Sequence, residues 1–192
     1  FKTAVKYILK LKPKSFVWAA PECKTWVWVA RSGTGRSSAK PRGFEFKKKY
    51  KTANTIADNT LCLLTLAWLQ GDEILLEQPT SSLMTHLQYF EALHSVALKN
   101  TCKTFLGAFG ARSCKPVDIS SSSNRVKELS RKMPRHLFSL TRKHKQWVSG
   151  NHAELRKSST YLVAFGVAVA SILLSIAQRL VVDKFFAVDL FT

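Results

Sequence analysis

Twice in this chain an apolar run stops at a proline with a reactive side chain close by. Phe16-Val17-Trp18-Ala19-Ala20 gives way to Pro21-Glu22 and then Cys23, and Ile74-Leu75-Leu76 gives way to Glu77-Gln78-Pro79. Short, continuous, β-branched and aromatic runs of this kind read as strands buried on both faces, and proline does not extend them. Open α/β sheets place their chemistry where such strands end, at the carboxyl edge. On neighbouring strands the Cys23 thiol and the Glu77 carboxylate would open into one crevice. The pattern points to an α/β fold, a partial Rossmann-like, mostly parallel sheet with flanking helices.

The stretch between the two runs fits that architecture. Leu61, Leu64 and Trp68 recur at a three and a four, with Ile56 five before Leu61, which predicts a helix over 51–69. Gly71 is a natural residue just past a helix end, releasing the chain into a strand at 73–77. A crossover of this length suits a parallel connection. Elsewhere the patterning predicts a short helix over 1–11 ended by Pro13, a helical stretch over 83–98, a third strand over 103–109 closed by Gly110, and a short strand over 117–119 before the polar loop Ser120–Ser123. Arg31-Ser32-Gly33-Thr34-Gly35-Arg36-Ser37-Ser38 reads as a flexible loop. It lacks the spacing and terminal Lys of a P-loop.

Charge narrows the class of partner. The formal net charge is +18; 13 of the 30 Lys and Arg residues fall in 1–50 and another 13 in 101–157, whereas 51–100 holds only Lys51 and Lys99. Two basic flanks around a near-neutral middle favour a polyanion, nucleic acid first and an anionic membrane second. Arg31 and Arg36 in the loop, and Arg142, Lys143 and Lys145 in the basic segment 124–157, are candidate phosphate contacts; Lys47-Lys48-Lys49 reads as solvated or docked on a phosphate backbone. Leu137, Phe138, Leu140 and Trp147 are interleaved with the cations, as base stacking or a modest amphipathic helix would require. Cys23, Cys62, Cys102 and Cys114 form no CxxC pair and have no His at metal spacing, so a reduced intracellular chain without metal, nuclear or cytoplasmic, is expected.

Tyr161–Ala177 is an uncharged run at the lower length limit for a membrane span, flanked by Arg156-Lys157 and Arg179. Two readings stand: a single-pass anchor on a non-enzymatic basic protein, or a helix packed on the core. Segments 1–123, 124–157 and 158–192 would then be the α/β core, a nucleic-acid-facing segment and the apolar helix.

Read in order, these segments resemble the cytosine-5 DNA methyltransferases. Ala20-Pro21-Glu22-Cys23 with Thr25-Trp26 is similar to that family's Pro-Pro-Cys nucleophile loop, and Glu77-Gln78-Pro79-Thr80-Ser81-Ser82 to its Glu-Asn-Pro or Glu-Asn-Val strand end. Phe109-Gly110-Ala111-Arg112-Ser113-Cys114-Lys115-Pro116-Val117 resembles a Tyr-Gly…Lys-Pro-Thr segment, and Tyr161 with Ala164-Phe165-Gly166-Val167-Ala168-Val169 a terminal helix start. The resemblance implies a cysteine thiolate (Cys23) that adds to cytosine C6, and a glutamate (Glu77) at the N3 edge. It further implies Arg112 and Lys115 as pocket or phosphate contacts, Pro79 and Gly166 beside the cosubstrate, and a target base lifted from the stack onto a basic surface. S-adenosylmethionine would be the methyl donor, held by a Gly-rich strand and turn expected before Phe1. The chain departs from the pattern in three places. Glu22 stands where the family has Pro, and an acid beside a thiol disfavours the thiolate. Gln78 replaces Asn, and Asp118 sits where a cation is usual.

Overall fold

The computed structural model describes residues 1–111, 114–136 and 163–174. They divide into two compact units, Phe1–Lys103 with Val117–Asn124, and Thr104–Pro116 with the residues from Arg125 onward.

In the first unit α1 (Lys2–Ile8) leads to β1 (Phe16–Ala19), a one-turn α2 (Arg31–Thr34), the long α3 (Lys48–Leu69), β2 (Glu73–Pro79) and α4 (Gln88–Val96). β3 (Asn100–Phe105) and β4 (Pro116–Ser121) complete a four-stranded mixed sheet of order β1-β2-β4-β3. β1 and β2 run parallel, with Phe16 opposite Glu73 and Ala19 opposite Leu76; β4 runs antiparallel to β2, with Ile119 opposite Glu77. The register of the parallel pair is pinned where it starts. The Ser15 N–H donates to Asp72 Oδ1 (2.9 Å), and the Glu73 N–H donates to the Ser15 carbonyl (2.9 Å).

α3 forms because its buried residues, Ala53, Ala57, Leu61, Leu64 and Ala67 among them, fall in one stripe at helical spacing. Three of these are alanines, which let the helix lie close on β1 and β2. Ile56 is 40% exposed and sits off that stripe, contrary to the spacing of large residues. The helix ends as expected at Gly71 (φ +84°): the Gly71 N–H reaches the Trp68 carbonyl (2.9 Å) and the Asp72 N–H reaches that of Ala67 (3.1 Å), the paired bonds of a Schellman stop. Leu61, Leu64, Ile74, Leu76, Phe90 and Leu93 lie at the centre of one buried cluster between α3, α4 and β2.

Four expectations are corrected. β1 is half-buried along its length, not buried on both faces, because it lies at the edge of the sheet. The sheet is mixed, β4 running against β2. The third strand runs from Asn100 to Phe105, and Leu106–Phe109 is a 3₁₀ turn that ends at Gly110 (φ +95°). Ser120 and Ser121 belong to β4 rather than to a loop.

The second unit holds that turn, a 3₁₀ segment at Asn124–Leu129 and helical residues 163–174. Phe165, Val169 and Ile172, one helical face, are buried, and the Phe165 ring meets Phe109 edge-on at 5.1 Å. Val163, Val167 and Leu174 on the other side are exposed. No helix among the described residues is long and apolar enough to cross a membrane.

Candidate functional site

The parallel pairing of β1 and β2 brings the two proline-terminated strand ends side by side at one sheet edge. The chain beyond each end is then joined to the other. The Trp28 N–H donates to the Ser81 carbonyl (3.0 Å) and the Leu83 N–H to the Trp26 carbonyl (2.7 Å), which makes Val27 and Ser82 an isolated antiparallel bridge. Side chains add a second layer. Ser82 Oγ donates to Gln78 Oε1 (2.8 Å) and accepts from the Met84 N–H (3.3 Å), capping the turn Leu83–His86. Gln78 Nε2 donates to the Glu77 carbonyl (2.8 Å) and to that of Pro21 (3.4 Å). Gln78 and Ser82 are both buried, so each of these bonds is made away from water, where leaving it unmade would be expensive.

Cys23 sits in this frame as the first residue of a tight turn. Its carbonyl accepts from the N–H groups of Trp26 (2.8 Å) and Val27 (3.2 Å), and the residue is half-buried. Glu77 is 2% exposed. Strand alternation puts it on the sheet face opposite Ile74 and Leu76, which belong to the α3–α4 core. Gln78, on the face of Ile74 and Leu76, is the residue whose side chain reaches the Pro21 carbonyl. Glu22, whose charge would oppose a thiolate next door, is ion-paired with Lys24 at the surface. Asp118 accepts from Thr80 Oγ1 (2.8 Å), so its carboxylate fixes the segment after β2.

The expected flexible loop is ordered. Arg31–Thr34 makes a single helical turn, stopped by Gly35 at φ +66° with the Phe44 ring packed against it. Gly43 (φ +63°) comes so close to the Thr34 carbonyl that a Cβ there would sit 2.3 Å from its oxygen. Arg42 clasps Asp58 on α3 with two bonds (3.1 and 2.8 Å), which raise its pKa, and Asn54 Nδ2 donates to the Arg42 carbonyl (3.1 Å).

The expected phosphate contacts divide. Arg31 is exposed and lies over the Trp28 ring at 4.2 Å. Arg36 is not a surface cation. It is 2% exposed, lies over Trp26 at 3.5 Å, and donates to the Pro41 carbonyl (2.6 Å). Burial lowers its pKa to about 10, which still leaves it charged at neutral pH. Lys115 is half-buried in the second unit, its carbonyl accepting from the Leu106 N–H (3.2 Å). Arg112, Arg142, Lys143 and Lys145 lie outside the described residues. Pro79 is buried opposite Val117, and Gly166 lies on an exposed part of the helical stretch in the second unit.

A shallow cleft of about 400 Å³ is lined by Glu22, Lys24, Thr25, Lys48, Lys49 and Thr52, among others, immediately beside the Cys23 turn. A second, of about 370 Å³, lies between Lys40–Glu45 and His86–Tyr89. Neither is lined by Cys23 or Glu77. Among the described residues no group of His, Cys, Asp and Glu is arranged to hold a metal ion. The joining residues Gln78 and Ser82 were hard to single out in the sequence, because nothing local marks a polar side chain whose partner lies 57 positions away. Comparison with family models, curated proteins and solved structures finds no match.

Proposed function

We propose that this chain is the cytosine-addressing part of a cytosine-5 DNA methyltransferase-like α/β domain and that it binds DNA. The observation that carries the reading is the union of the two strand ends. Pro21-Glu22-Cys23 and Glu77-Gln78-Pro79 follow adjacent parallel strands, and the segments beyond them are hydrogen-bonded into one frame.

S-adenosylmethionine does not fit the residues described. Pro79 is buried against β4, and Gly166 belongs to the other unit. What the site's own residues support is the addition step. The Cys23 thiolate forms a bond to C6 of an unstacked cytosine, the C5–C6 electron pair moves to C5, and C5 takes a proton from solvent. Reversal removes one of the two hydrogens now on C5 and expels the thiolate. Glu77 would steady the N3 edge while negative charge resides on the ring.

That step exchanges the C5 hydrogen with solvent without any methyl donor. Oligonucleotides tritiated at cytosine C5 should lose label to water in the presence of the chain. Cys23→Ser should abolish the release, and Glu77→Gln should slow it by about a hundredfold. Tight DNA binding with no release above the Cys23→Ser background would refute the chemistry and leave a binding module.

A further inference from the structure

Trp28 (47% exposed) and Phe46 (80% exposed) are large aromatic side chains left facing solvent, and neither stands alone. Arg31 covers the Trp28 ring at 4.2 Å, and Lys47 Nζ lies 5.4 to 6.0 Å from the ring centres of Phe44, Phe46 and Tyr50. The Tyr50 hydroxyl donates to the Gly33 carbonyl (2.8 Å), which holds the Arg31–Thr34 turn against the start of α3. Phe44 N–H to Thr34 carbonyl (2.9 Å) closes the same junction from the other side. The Trp28–Arg31 pair and the Phe46–Lys47 group therefore stand on segments tied to each other, and Lys48 and Lys49, next along the chain, line the cleft beside the Cys23 turn.

We propose that this surface binds single-stranded DNA, with unpaired bases stacking on Trp28 and Phe46 while Arg31 and Lys47–Lys49 take the phosphates. Exposed rings among cations match the two repeating parts of a single strand, π-faced bases and anionic phosphates. A closed duplex offers phosphates and groove edges but no free base face, because its bases are already stacked. The chain's charge of +18 and its order of aromatics and lysines select a polyanion with stackable groups over a plain one. The inference deepens the reading above and rests on its nucleic-acid part, not on the Cys23 chemistry.

The test is binding of the full chain to a fluorescent thymidine oligonucleotide, to a duplex of equal length, and to dextran sulfate, each across a salt series. The single strand is expected to bind at least tenfold more tightly than the duplex and to quench tryptophan fluorescence. Trp28→Ala and Phe46→Ala should each weaken single-strand binding by about tenfold and leave duplex affinity unchanged. The triple change Lys47→Gln, Lys48→Gln, Lys49→Gln should reduce the single-strand salt slope by about two. The thymidine probe offers no cytosine to Cys23, so a failure of C5 exchange does not count against this surface. The side chains of Trp28, Phe46 and Lys47–Lys49 are exposed, and circular dichroism of each of their variants should match the parent. Equal affinity for duplex and single strand, competition by dextran sulfate at equal charge, or parent-like single-strand binding by the two aromatic variants would overturn the proposal.

Discussion

Arg36 shows how a cation can be used for structure rather than recognition. Stacked on Trp26 and bonded to the Pro41 carbonyl, it fills the space beneath the turn that begins at Cys23. Removing it leaves a buried void and a carbonyl without its donor, so Arg36→Ala should destabilise the fold by about 3 kcal/mol in urea titrations. Arg36→Met, which keeps the volume and sheds the desolvated charge, should be milder. The pH dependence has a definite sign. With its folded pKa lowered to about 10 from 12.5, the burial penalty is fully present below pH 10 and is relieved as the pH rises through that window. The stability of the parent chain relative to Arg36→Met should thus be flat from pH 6 to 9 and shift in favour of the parent above pH 10.

Among the elements, the loops after β1 and β2 bear the most weight. Ser82→Ala removes both the Gln78 bond and the cap on Met84, and should lower stability by about 1 kcal/mol while speeding amide exchange at Trp28 and Leu83. The glycines rank by what surrounds them. Gly43→Ala would drive a Cβ into the Thr34 carbonyl and should lose about 3 kcal/mol, whereas Gly71→Ala meets open space and loses about 1 kcal/mol from its left-handed backbone alone. Thermal unfolding of the pair checks the order. Much of this layer was legible in the residues: α3, its Gly71 stop, both proline-terminated strands and their adjacency follow from periodicity and turn chemistry. Burial was misread where it depends on neighbours. Phe16–Ala19 has the composition of a central strand yet lies at an edge, and the inward stripe of α3 is written in alanines that a search for large residues passes over. The stacking of Arg36 on Trp26 joins residues ten apart through a loop whose course only the folded chain reveals.

For the whole molecule, charge asymmetry dictates the behaviour. Lys24, Lys48 and Lys49 line the cleft beside the Cys23 turn, whereas 51–100 holds only two of the 30 Lys and Arg residues. DNA affinity should therefore fall by about a hundredfold or more between 50 and 200 mM salt, read by fluorescence anisotropy, with the single strand and the duplex both affected. A loss of less than tenfold would mean that the basic surface makes few phosphate contacts. The four cysteines differ in setting: Cys102 and Cys114 are buried, Cys62 lies exposed on α3, and Cys23 is half-buried between Glu22 and Lys24, which line the cleft. An oligonucleotide containing 5-azacytosine, a ring that captures a thiolate at C6 and retains it, tests this most directly when the adduct is mapped by mass spectrometry. The account predicts modification of the peptide carrying Cys23, abolished in Cys23→Ser and weakened in Glu77→Gln. Modification at Cys62 instead, or no adduct under conditions where the DNA is fully bound, would contradict it.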